Sequence, residues 1–251
     1  MSEKNKKIRI IAGPNGSGKS TILRSVKSKY FSGAYVNADE IQELFNKHGY
    51  INPVIEYNLK ITDRQFTTFI ALYGKSWTQK VREENGKISV VSKGGIISAN
   101  GAKVSSYDCA LVAEFIRLQL LKTSRTFTFE TVLSHPSKIR FLQKAKQKGY
   151  KIYLYYICTI DPSINIERVR KRVLLGGHHV SNEKITKRFY ASLDLVKDLI
   201  PLCHRAYFFD NSPQEINTSL LPVAEINPTG DLILHKAKQP WWLNDYVLGS
   251  F

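Results

Sequence analysis

A glycine-rich segment near the N-terminus, GPNGSGKS at positions 13–20, constrains the fold of this chain more than any other feature. It matches the pattern of a phosphate-binding loop, G-x-x-x-x-G-K-[ST], at every fixed position. A short apolar run at 8–12 precedes it, and a helical pattern at 21–26 follows it. Inward-turned backbone N–H groups and a helix N-terminus attract anions, so this arrangement predicts a phosphate site. A chance glycine turn is the alternative interpretation.

The residues of this loop are candidates for binding ATP. Lys19 is expected to reach the β- and γ-phosphates, and the Ser20 hydroxyl is the candidate ligand of Mg²⁺. The expected nucleotide-binding segment comprises Gly13, Pro14, Asn15, Gly16, Ser17, Gly18, Lys19, Ser20 and Thr21.

The net charge of +16, from 37 Lys and Arg against 21 Asp and Glu, favours an anionic partner. A nucleotide, a sugar nucleotide, a nucleic acid or an acidic protein would each meet this condition. Cys109, Cys158 and Cys203 show no disulfide or metal-binding spacing, which fits buried thiols in a reducing compartment. No apolar run reaches the length of about 18 residues that a membrane span needs, so we expect a cytoplasmic protein without membrane contact.

Strand and helix patterns alternate along most of the chain. Such alternation predicts an α/β fold with a five-stranded, mostly parallel sheet and helices on both faces. The five predicted strands lie at 8–12, 34–37, 126–129, 151–158 and 206–209.

We expect a single domain over residues 1–251. Its core would cover about 8–47 and 106–213, an insertion about 48–105, and a C-terminal extension 214–251. The insertion is predicted to contain a helix over 54–73 and a hairpin that pairs 88–91 with 96–98, as a lid or insertion over the site. The extension is predicted to contain a second hairpin, 224–226 with 232–234.

Polar residues follow the predicted strands at their carboxyl ends, where ligands of parallel α/β sheets bind. Asn37 and Asp39 follow the second strand, and Asp39 is the candidate general base for a hydroxyl that attacks the γ-phosphate. Asp39 could instead ligate magnesium through water or cap the next helix. Glu130 and Thr131 follow the third strand as candidate acceptor-binding residues. A salt bridge from Glu130 to a neighbouring lysine is the alternative, because a buried carboxylate needs partners.

The helix after the fourth strand carries Arg168 and Arg172 on one face, four residues apart. Arginine binds phosphate through two N–H groups and neutralises charge in a transition state. A Gly-Gly connector follows at 176–177, and Lys184 and Arg188 begin the next helix. These features predict a basic lid over the triphosphate, with a solvated basic face as the alternative.

His178 and His179 are a weak metal-ligand signal because a third ligand is missing at a suitable spacing. We therefore do not assign them as a metal site. Asn211 follows the fifth strand and is a candidate contact to the adenine, with a turn-forming role as the alternative.

Several motifs resemble, in order and spacing, those of the zeta toxin family of P-loop kinases, in its branch with GGH after the arginine helix. The resemblance covers most of residues 8–213. It rests on GPNGSGKST at 13–21, NADEI at 37–41, FETVLS at 129–134, RVRKRVLLGGHHV at 168–180, KITKRF at 184–189 and FFDNS at 208–212.

The resemblance implies a P-loop kinase fold and transfer of the ATP γ-phosphate, with Mg²⁺, to a hydroxyl of a small acceptor such as a sugar nucleotide. In well-known members the acceptor is the 3′-hydroxyl of UDP-N-acetylglucosamine, and a small antitoxin protein covers the nucleotide site. Lys19 and Ser20 would bind ATP and magnesium. Asp39 would be the base, and Glu130 would hold the acceptor. The implied phosphate clamps are Arg168, Arg172 and Arg188.

Two other functions stay open at this point. A nucleic-acid-end kinase or RNA-binding ATPase would use the high positive charge and predicts a basic stripe that runs away from the loop. The candidate stripe comprises Lys138, Arg140, Lys144, Lys146 and Lys148. A non-catalytic, nucleotide-gated binding module predicts ATP binding without any modified acceptor.

Overall fold

The computed structural model describes residues 6–30, 33–84, 88–101, 103–177, 179–212 and 222–250. The chain divides into two compact units. We term residues 1–32 with 129–251 the core unit, and residues 33–128 the inserted unit. The interpretation of residues 1–251 as a single kinase domain stays a prediction.

Strands and helices alternate through both units. The strands in chain order are β1 (Lys7–Ala12), β2 (Ala34–Val36), β3 (Tyr50–Ile51), β4 (Val90–Lys93), β5 (Ile96–Ala99), β6 (Phe127–Thr131), β7 (Lys151–Cys158), β8 (Arg205–Asp210), β9 (Ala224–Ile226) and β10 (Leu232–Leu234). The helices are α1 (Lys19–Lys29), α2 (Ala38–His48), α3 (Pro53–Tyr57), α4 (Asp63–Glu84), α5 (Ser106–Lys122), α6 (Ser137–Gln147), α7 (Pro162–Leu174), α8 (Asn182–Leu199) and α9 (Trp241–Tyr246). Short 3₁₀ turns occupy Ile200–Leu202 and Leu248–Ser250.

The sheet of the core unit runs in the order β10-β9-β8-β7-β1-β6. β1 pairs with β7, and β7 with β8, in parallel. β9 pairs antiparallel with both β8 and β10. The predicted α/β class and the C-terminal hairpin are therefore confirmed. The predicted number of five strands was wrong, because the hairpin pairs with β8 and extends the sheet.

The central strands of this sheet form the core. Ile8, Ile10 and Ile11 of β1 are fully buried, as are Ile152 and Leu154 of β7. Central parallel strands are covered on both faces, which is why their sequences read as nearly continuous apolar runs. The glycine-rich loop leaves the sheet at the carboxyl end of β1, where the buried strand anchors it.

Capping residues determine where the two basic helices of the core unit begin. The Asp161 carboxylate accepts a hydrogen bond from the Ser163 N–H at 2.7 Å, and Pro162 occupies the first turn of α7. The Ser181 hydroxyl accepts from the Lys184 N–H at 3.3 Å at the start of α8. Side chains at these positions satisfy N–H groups that a helix cannot pair internally. The caps thereby set which residues α7 and α8 turn towards the loop.

The inserted unit contains a three-stranded antiparallel sheet in the order β3-β5-β4. β4 and β5 form the predicted hairpin, whereas β3 was not predicted. The Asp63 carboxylate, at the start of α4, accepts from the Ser92 hydroxyl at 2.6 Å and from the Gly94 and Gly95 N–H groups at 2.9 Å. One side chain therefore holds the hairpin turn against the helix.

The single helix predicted over 54–73 was wrong, because α3 and α4 are separate helices. Asn58 adopts a left-handed conformation, with φ of 48°, and ends α3. Thr62 and Gln65 then exchange hydrogen bonds at 2.9 and 3.2 Å between side chain and backbone N–H. This capping box starts a new helix inside a stretch whose apolar spacing is continuous.

A C-terminal helix, α9, was also missed by the sequence analysis. Trp242 is fully buried, with its ring centroid 5.9 Å from that of Tyr156. The Trp241 indole N–H donates to the Ile160 carbonyl at 2.7 Å. These contacts anchor the C-terminal segment on the core unit. Within the described ranges, every helix is too short or too polar to cross a membrane.

Candidate functional site

The glycine-rich loop connects β1 to α1. Helix α1 begins without a capping side chain. Gly18 is the N-cap of α1, in a left-handed conformation with φ of 95°. By contrast, Asn37 caps α2 and Ser105 caps α5 through their side chains. The first-turn N–H groups of α1 are thus left to bind something other than a side chain, as an anion-binding helix start requires. Ser20 and Thr21 lie exposed in that turn.

Lys19 folds back across the loop that precedes it. Its Nζ donates to the Gly13 carbonyl at 3.0 Å and to the Pro14 carbonyl at 2.9 Å. The same nitrogen lies 3.7 Å from Oε1 of Glu130, and the lysine side chain is only 8% exposed. A largely buried ammonium next to a glycine-rich loop concentrates positive charge where phosphate oxygens would lie.

Glu130 therefore forms a salt bridge, and its partner is the lysine of the loop itself. The salt-bridge interpretation from the sequence describes this contact, while acceptor binding by Glu130 stays a prediction. The neighbouring Thr131 accepts from the Gly13 N–H through its carbonyl at 3.2 Å. Its hydroxyl accepts from the N–H of Leu133, a buried residue in the left-handed region with φ of 57°. Such strain in a non-glycine residue is common beside functional sites.

Asn165 was not predicted as a site residue, yet it holds the loop. Its Nδ2 donates to the Asn15 carbonyl at 2.6 Å, and its Oδ1 accepts from the Thr159 hydroxyl. The residue is fully buried in α7, and a side chain at Gly16 would come within 2.5 Å of its backbone carbonyl. A signal was available, because Asn165 shares a helix face with the buried Val169 four residues later.

Arg188 of α8 reaches the same loop residue. Its Nη1 donates to Oδ1 of Asn15 at 3.4 Å, a long hydrogen bond. Asn15 is thus contacted by α7 through its carbonyl and by α8 through its side chain. Arg188 as a phosphate clamp stays a prediction.

Arg168 lies half-buried on α7 in the electrostatic field of Asp210. Burial lowers the pKa of its guanidinium, and Asp210 and Glu167 partly offset that effect. Its Nη1 is buried and has no hydrogen-bond partner among the described residues. A buried guanidinium with spare donors suits an anionic ligand. Arg172 is exposed in the last turn of α7.

Asn211 also binds the loop, at Ser17. Its Nδ2 donates to the Ser17 carbonyl at 2.8 Å, and its N–H donates to the Cys158 carbonyl at 2.8 Å. The side-chain amide thus positions the loop, while its contact to adenine stays a prediction. The Ser17 hydroxyl is buried without a hydrogen-bond partner among the described residues. This hydroxyl is therefore available for a hydrogen bond to a ligand.

Asn37 and Asp39 belong to the inserted unit. The Asn37 side chain accepts from the Asp39 N–H at 2.9 Å, so the helix cap is Asn37 and not Asp39. Asp39 is exposed in the first turn of α2. Burial raises the pKa of the Cys109 thiol to about 12, with Asp108 and Asp39 adding to the effect. Asp39 as the general base stays a prediction.

The structure describes one residue of the histidine pair and all three cysteines. His178 lies outside the described residues, and His179 is exposed. No group of three or more His, Cys, Asp or Glu side chains converges within the described part of the chain. Cys109 and Cys158 are buried, and Cys203 is partly buried. Any magnesium at the loop would therefore depend on hydroxyl and phosphate oxygens, which this ion accepts.

Part of the chain is similar to a known family. Residues 96–205, under half of the chain, match the family model described as Zeta toxin. An uncharacterized protein of Haemophilus influenzae is 33% identical over 63 residues, which cover 25% of this chain and 45% of that protein. This chain therefore spans less than half of that relative's length.

Solved structures show the same fold. Crystal structures of AvrRxo1-ORF1:AvrRxo1-ORF2 with sulphate ions and with ATP align with 93% of this chain at a TM-score of 0.52, with 14% and 15% identity, and cover 62% and 61% of those chains. The PezAT toxin–antitoxin structure from Streptococcus pneumoniae aligns at a TM-score of 0.49 and 13% identity. The alignment covers all of this chain and 82% of that chain. Residues 96–205 are thus similar to the zeta toxin family, and the chain shares its fold with the AvrRxo1-ORF1:AvrRxo1-ORF2 structures.

Proposed function

We propose that this protein is an ATP-dependent kinase that transfers the γ-phosphate to a hydroxyl of a small acceptor. The observation that carries the proposal is the environment of Lys19, whose ammonium is held by the loop carbonyls beside Glu130. A lysine so placed adds charge to an uncapped helix start, the combination that phosphoryl transfer uses. The AvrRxo1-ORF1:AvrRxo1-ORF2 structure with ATP supports the choice of nucleotide.

The loop residues would bind the triphosphate, and the exposed hydroxyl of Ser20 would hold Mg²⁺ together with phosphate oxygens. Mg²⁺ would supply charge neutralisation on the phosphates when bound. Arg168, Arg172 and Arg188 are the proposed clamps for the transferred group. Of these, Arg188 contacts Asn15 of the loop, and Arg168 has an unpartnered buried nitrogen among the described residues. Asn211 would position the loop and, as proposed from the sequence, contact adenine.

Asp39 is the proposed general base. The acceptor oxygen attacks the γ-phosphorus, its proton passes to the Asp39 carboxylate, and the bond to the β–γ bridging oxygen breaks to release ADP. Asn37, Glu130 and Thr131 are the proposed acceptor-binding residues. The proposed acceptor is a sugar nucleotide such as UDP-N-acetylglucosamine. We also propose that the protein is a cytoplasmic toxin and that an antitoxin protein holds it inactive.

Incubation of the protein with labelled ATP, Mg²⁺ and a panel of sugar nucleotides and dinucleotides, followed by mass spectrometry, tests the proposal. Lys19→Ala should abolish transfer, because the loop loses its ammonium. Asp39→Asn should retain ATP binding and lower transfer about 10²- to 10⁴-fold, the usual contribution of a positioned base. Lys29→Ala, which removes an exposed lysine from the end of α1, is the charge-matched control and should leave the rate unchanged.

Full transfer by Asp39→Asn would remove this residue from the mechanism and leave the kinase proposal in place. ATP binding with no modified acceptor across the panel, and unaltered biological effect in Asp39→Asn, would favour the non-catalytic module instead. Phosphorylation of a nucleic-acid end, with none of any small acceptor, would favour the nucleic-acid kinase.

A further inference from the structure

A second cluster of positive charge lies at the amino ends of the core-unit strands, opposite the end that carries the glycine-rich loop. Lys7 of β1 pairs with Lys151 of β7, and the Lys151 N–H donates to the Lys6 carbonyl at 3.0 Å. His204 precedes β8, and its N–H donates to the Ile152 carbonyl at 2.7 Å. We term the set Lys6, Lys7, Arg9, Lys151, His204 and Arg205 the basic edge.

Aromatic rings lie between these cations on one face of the sheet. The Tyr153 ring centroid is 5.8 Å from Nζ of Lys7, 5.7 Å from the Arg9 guanidinium carbon and 5.4 Å from the His204 ring. Tyr155 and Tyr207 stack at 5.1 Å with an interplanar angle of 17°. Tyr153 and Tyr155 alternate along β7 with side chains on the opposite face, so their rings share one side of the sheet.

The field on this face is positive. The pKa of His204 is lowered, first by burial and then by the charges of Lys151, Arg205 and Lys7. Three cations therefore act on one imidazole. Glu225 of β9 is an acid on the same side, since it pairs with Tyr207, and it lies 3.9 Å from His235.

Helix α6 ends near the basic edge, because only residues 148–150 separate its last residue from β7. Lys144, Lys146 and Lys148 are exposed there, and Nζ of Lys146 donates to the Pro201 carbonyl at 2.8 Å. Lys6 approaches Gly149, the residue between α6 and Tyr150, and its Nζ lies 5.4 Å from the Tyr150 ring centroid. Lys6 therefore lies between the rest of the basic edge and the C-terminal end of α6.

We propose that the basic edge and the tyrosines beside it bind single-stranded nucleic acid. Lys7, Lys151 and Arg205 would contact phosphates, whereas Arg9 is buried beneath the tyrosines. The half-buried Tyr153 and Tyr207 would offer ring faces to unstacked bases. Cations alternating with rings distinguish this partner from an acidic protein or an anionic membrane, which need charge but no stacking platform. The glycine-rich loop lies a strand length away, about 17 Å for six residues, so this inference does not depend on the kinase proposal.

Fluorescence anisotropy with a labelled 12-nucleotide oligouridylate tests the inference in the full chain, from 50 to 200 mM KCl. The double variant Lys151→Ala/Arg205→Ala should weaken binding at least tenfold and reduce the slope of log affinity against log salt by about 1.4, from ~0.7 per lost phosphate contact. Tyr153→Leu should weaken binding about tenfold, by the loss of one stacking platform, without changing that slope.

Lys171→Ala/Lys187→Ala removes the same charge from exposed positions on α7 and α8 and should change affinity less than twofold. An equal loss in this control would mean that net charge alone attracts the oligonucleotide, and the inference would be wrong. It would also be overturned by equal affinity for a duplex of the same length, or by binding only to poly-glutamate or to anionic phosphatidylserine vesicles. Circular dichroism melting of each variant separates lost binding from lost folding.

Discussion

Asn165 couples the first turns of α7 to the glycine-rich loop through both ends of its side-chain amide. The nitrogen satisfies the Asn15 carbonyl, and the oxygen satisfies the Thr159 hydroxyl, in a fully buried setting. Buried polar groups are costly to leave unpaired, so this amide holds the loop in one conformation. Because α7 also carries Arg168, loop shape and arginine position depend on the same helix.

Asn165→Ala should therefore lower the free energy of unfolding by about 1–3 kcal/mol, because two buried groups lose their partner. We also expect weaker nucleotide binding, since the loop is no longer held. Urea unfolding and titration with a fluorescent ATP analogue measure the two effects. Asn182→Ala, which truncates an exposed asparagine at the start of α8, is the matched control and should change neither quantity. Unaltered stability in Asn165→Ala would contradict the positioning role.

Gly16 and Gly94 have similar positive φ angles, but only at Gly16 would an added Cβ collide with a neighbouring atom. Alanine substitutions at these two positions therefore distinguish backbone strain from steric collision. Gly16 has φ of 74°, and an added Cβ would lie 2.5 Å from the Asn165 carbonyl oxygen. Gly94 has φ of 61°, and an added Cβ would meet nothing within 4 Å. Gly94→Ala should cost about 1–2 kcal/mol, from left-handed strain alone. Gly16→Ala should cost more, because the loop or α7 must also move.

The difference between these two variants in urea unfolding measures the collision at the loop. Gly16→Ala should also lose nucleotide binding, whereas Gly94→Ala should retain it. Equal destabilisation by both substitutions would mean that Gly16 is needed for its backbone angle and not for its contact with Asn165.

In the inserted unit, one carboxylate holds α4 and the β4–β5 hairpin together. The Ser92 hydroxyl and the N–H groups of Gly95 and Gly94 lower the pKa of Asp63 below its ordinary value, because they stabilise the charged form. A lowered pKa in the folded state means stability that is present above the unfolded value of about 3.9. That stability is lost as the pH falls through the folded value.

Asp63→Asn should accordingly lower the urea midpoint at pH 7, and the gap to the unaltered protein should narrow below about pH 4. Circular dichroism during urea unfolding at both pH values measures the gap. Asp198→Asn, an exposed acid on α8, is the control and should leave the midpoint nearly unchanged at pH 7. A gap that stays constant between pH 7 and pH 3 would show that Asp63 acts through packing rather than charge.

Elements with one dominant local signal were predicted well. β7 has the predicted bounds, because a buried central strand is a continuous apolar run between polar ends. The stretch over 54–73 failed because Asn58 and the Thr62–Gln65 box interrupt it without disturbing its apolar spacing. α9 failed because a six-residue helix carries too few turns to show a period.

Trp242 is the largest buried side chain of the C-terminal segment. Trp242 is fully buried against Tyr156, whose hydroxyl meets that of Ser192 at 3.1 Å. Its indole N–H has no hydrogen-bond partner among the described residues. The Trp242 ring therefore stabilises the folded protein through packing, and its indole nitrogen adds little to the free energy of unfolding.

Trp242→Ala should lower the free energy of unfolding by about 3–5 kcal/mol, as expected for a buried aromatic truncated to a methyl group. Trp242→Phe should cost less, because it keeps most of the packing and removes an unpaired N–H. Trp241→Phe provides the same substitution at a tryptophan that is 36% exposed. Thermal unfolding of the three variants gives the order, and an equal cost for Phe and Ala at position 242 would contradict the packing explanation.

Local pattern was sufficient for the glycine-rich loop and the five strands, because each depends on residues close together in the chain. It did not show that Asn165 binds the Asn15 carbonyl, 150 residues away, or that Asn211 binds the Ser17 carbonyl, 194 residues away. The basic edge was equally invisible, since parallel pairing alone brings Lys7 beside Lys151. Contacts between distant residues depend on how strands order in the sheet, and no local spacing encodes that order.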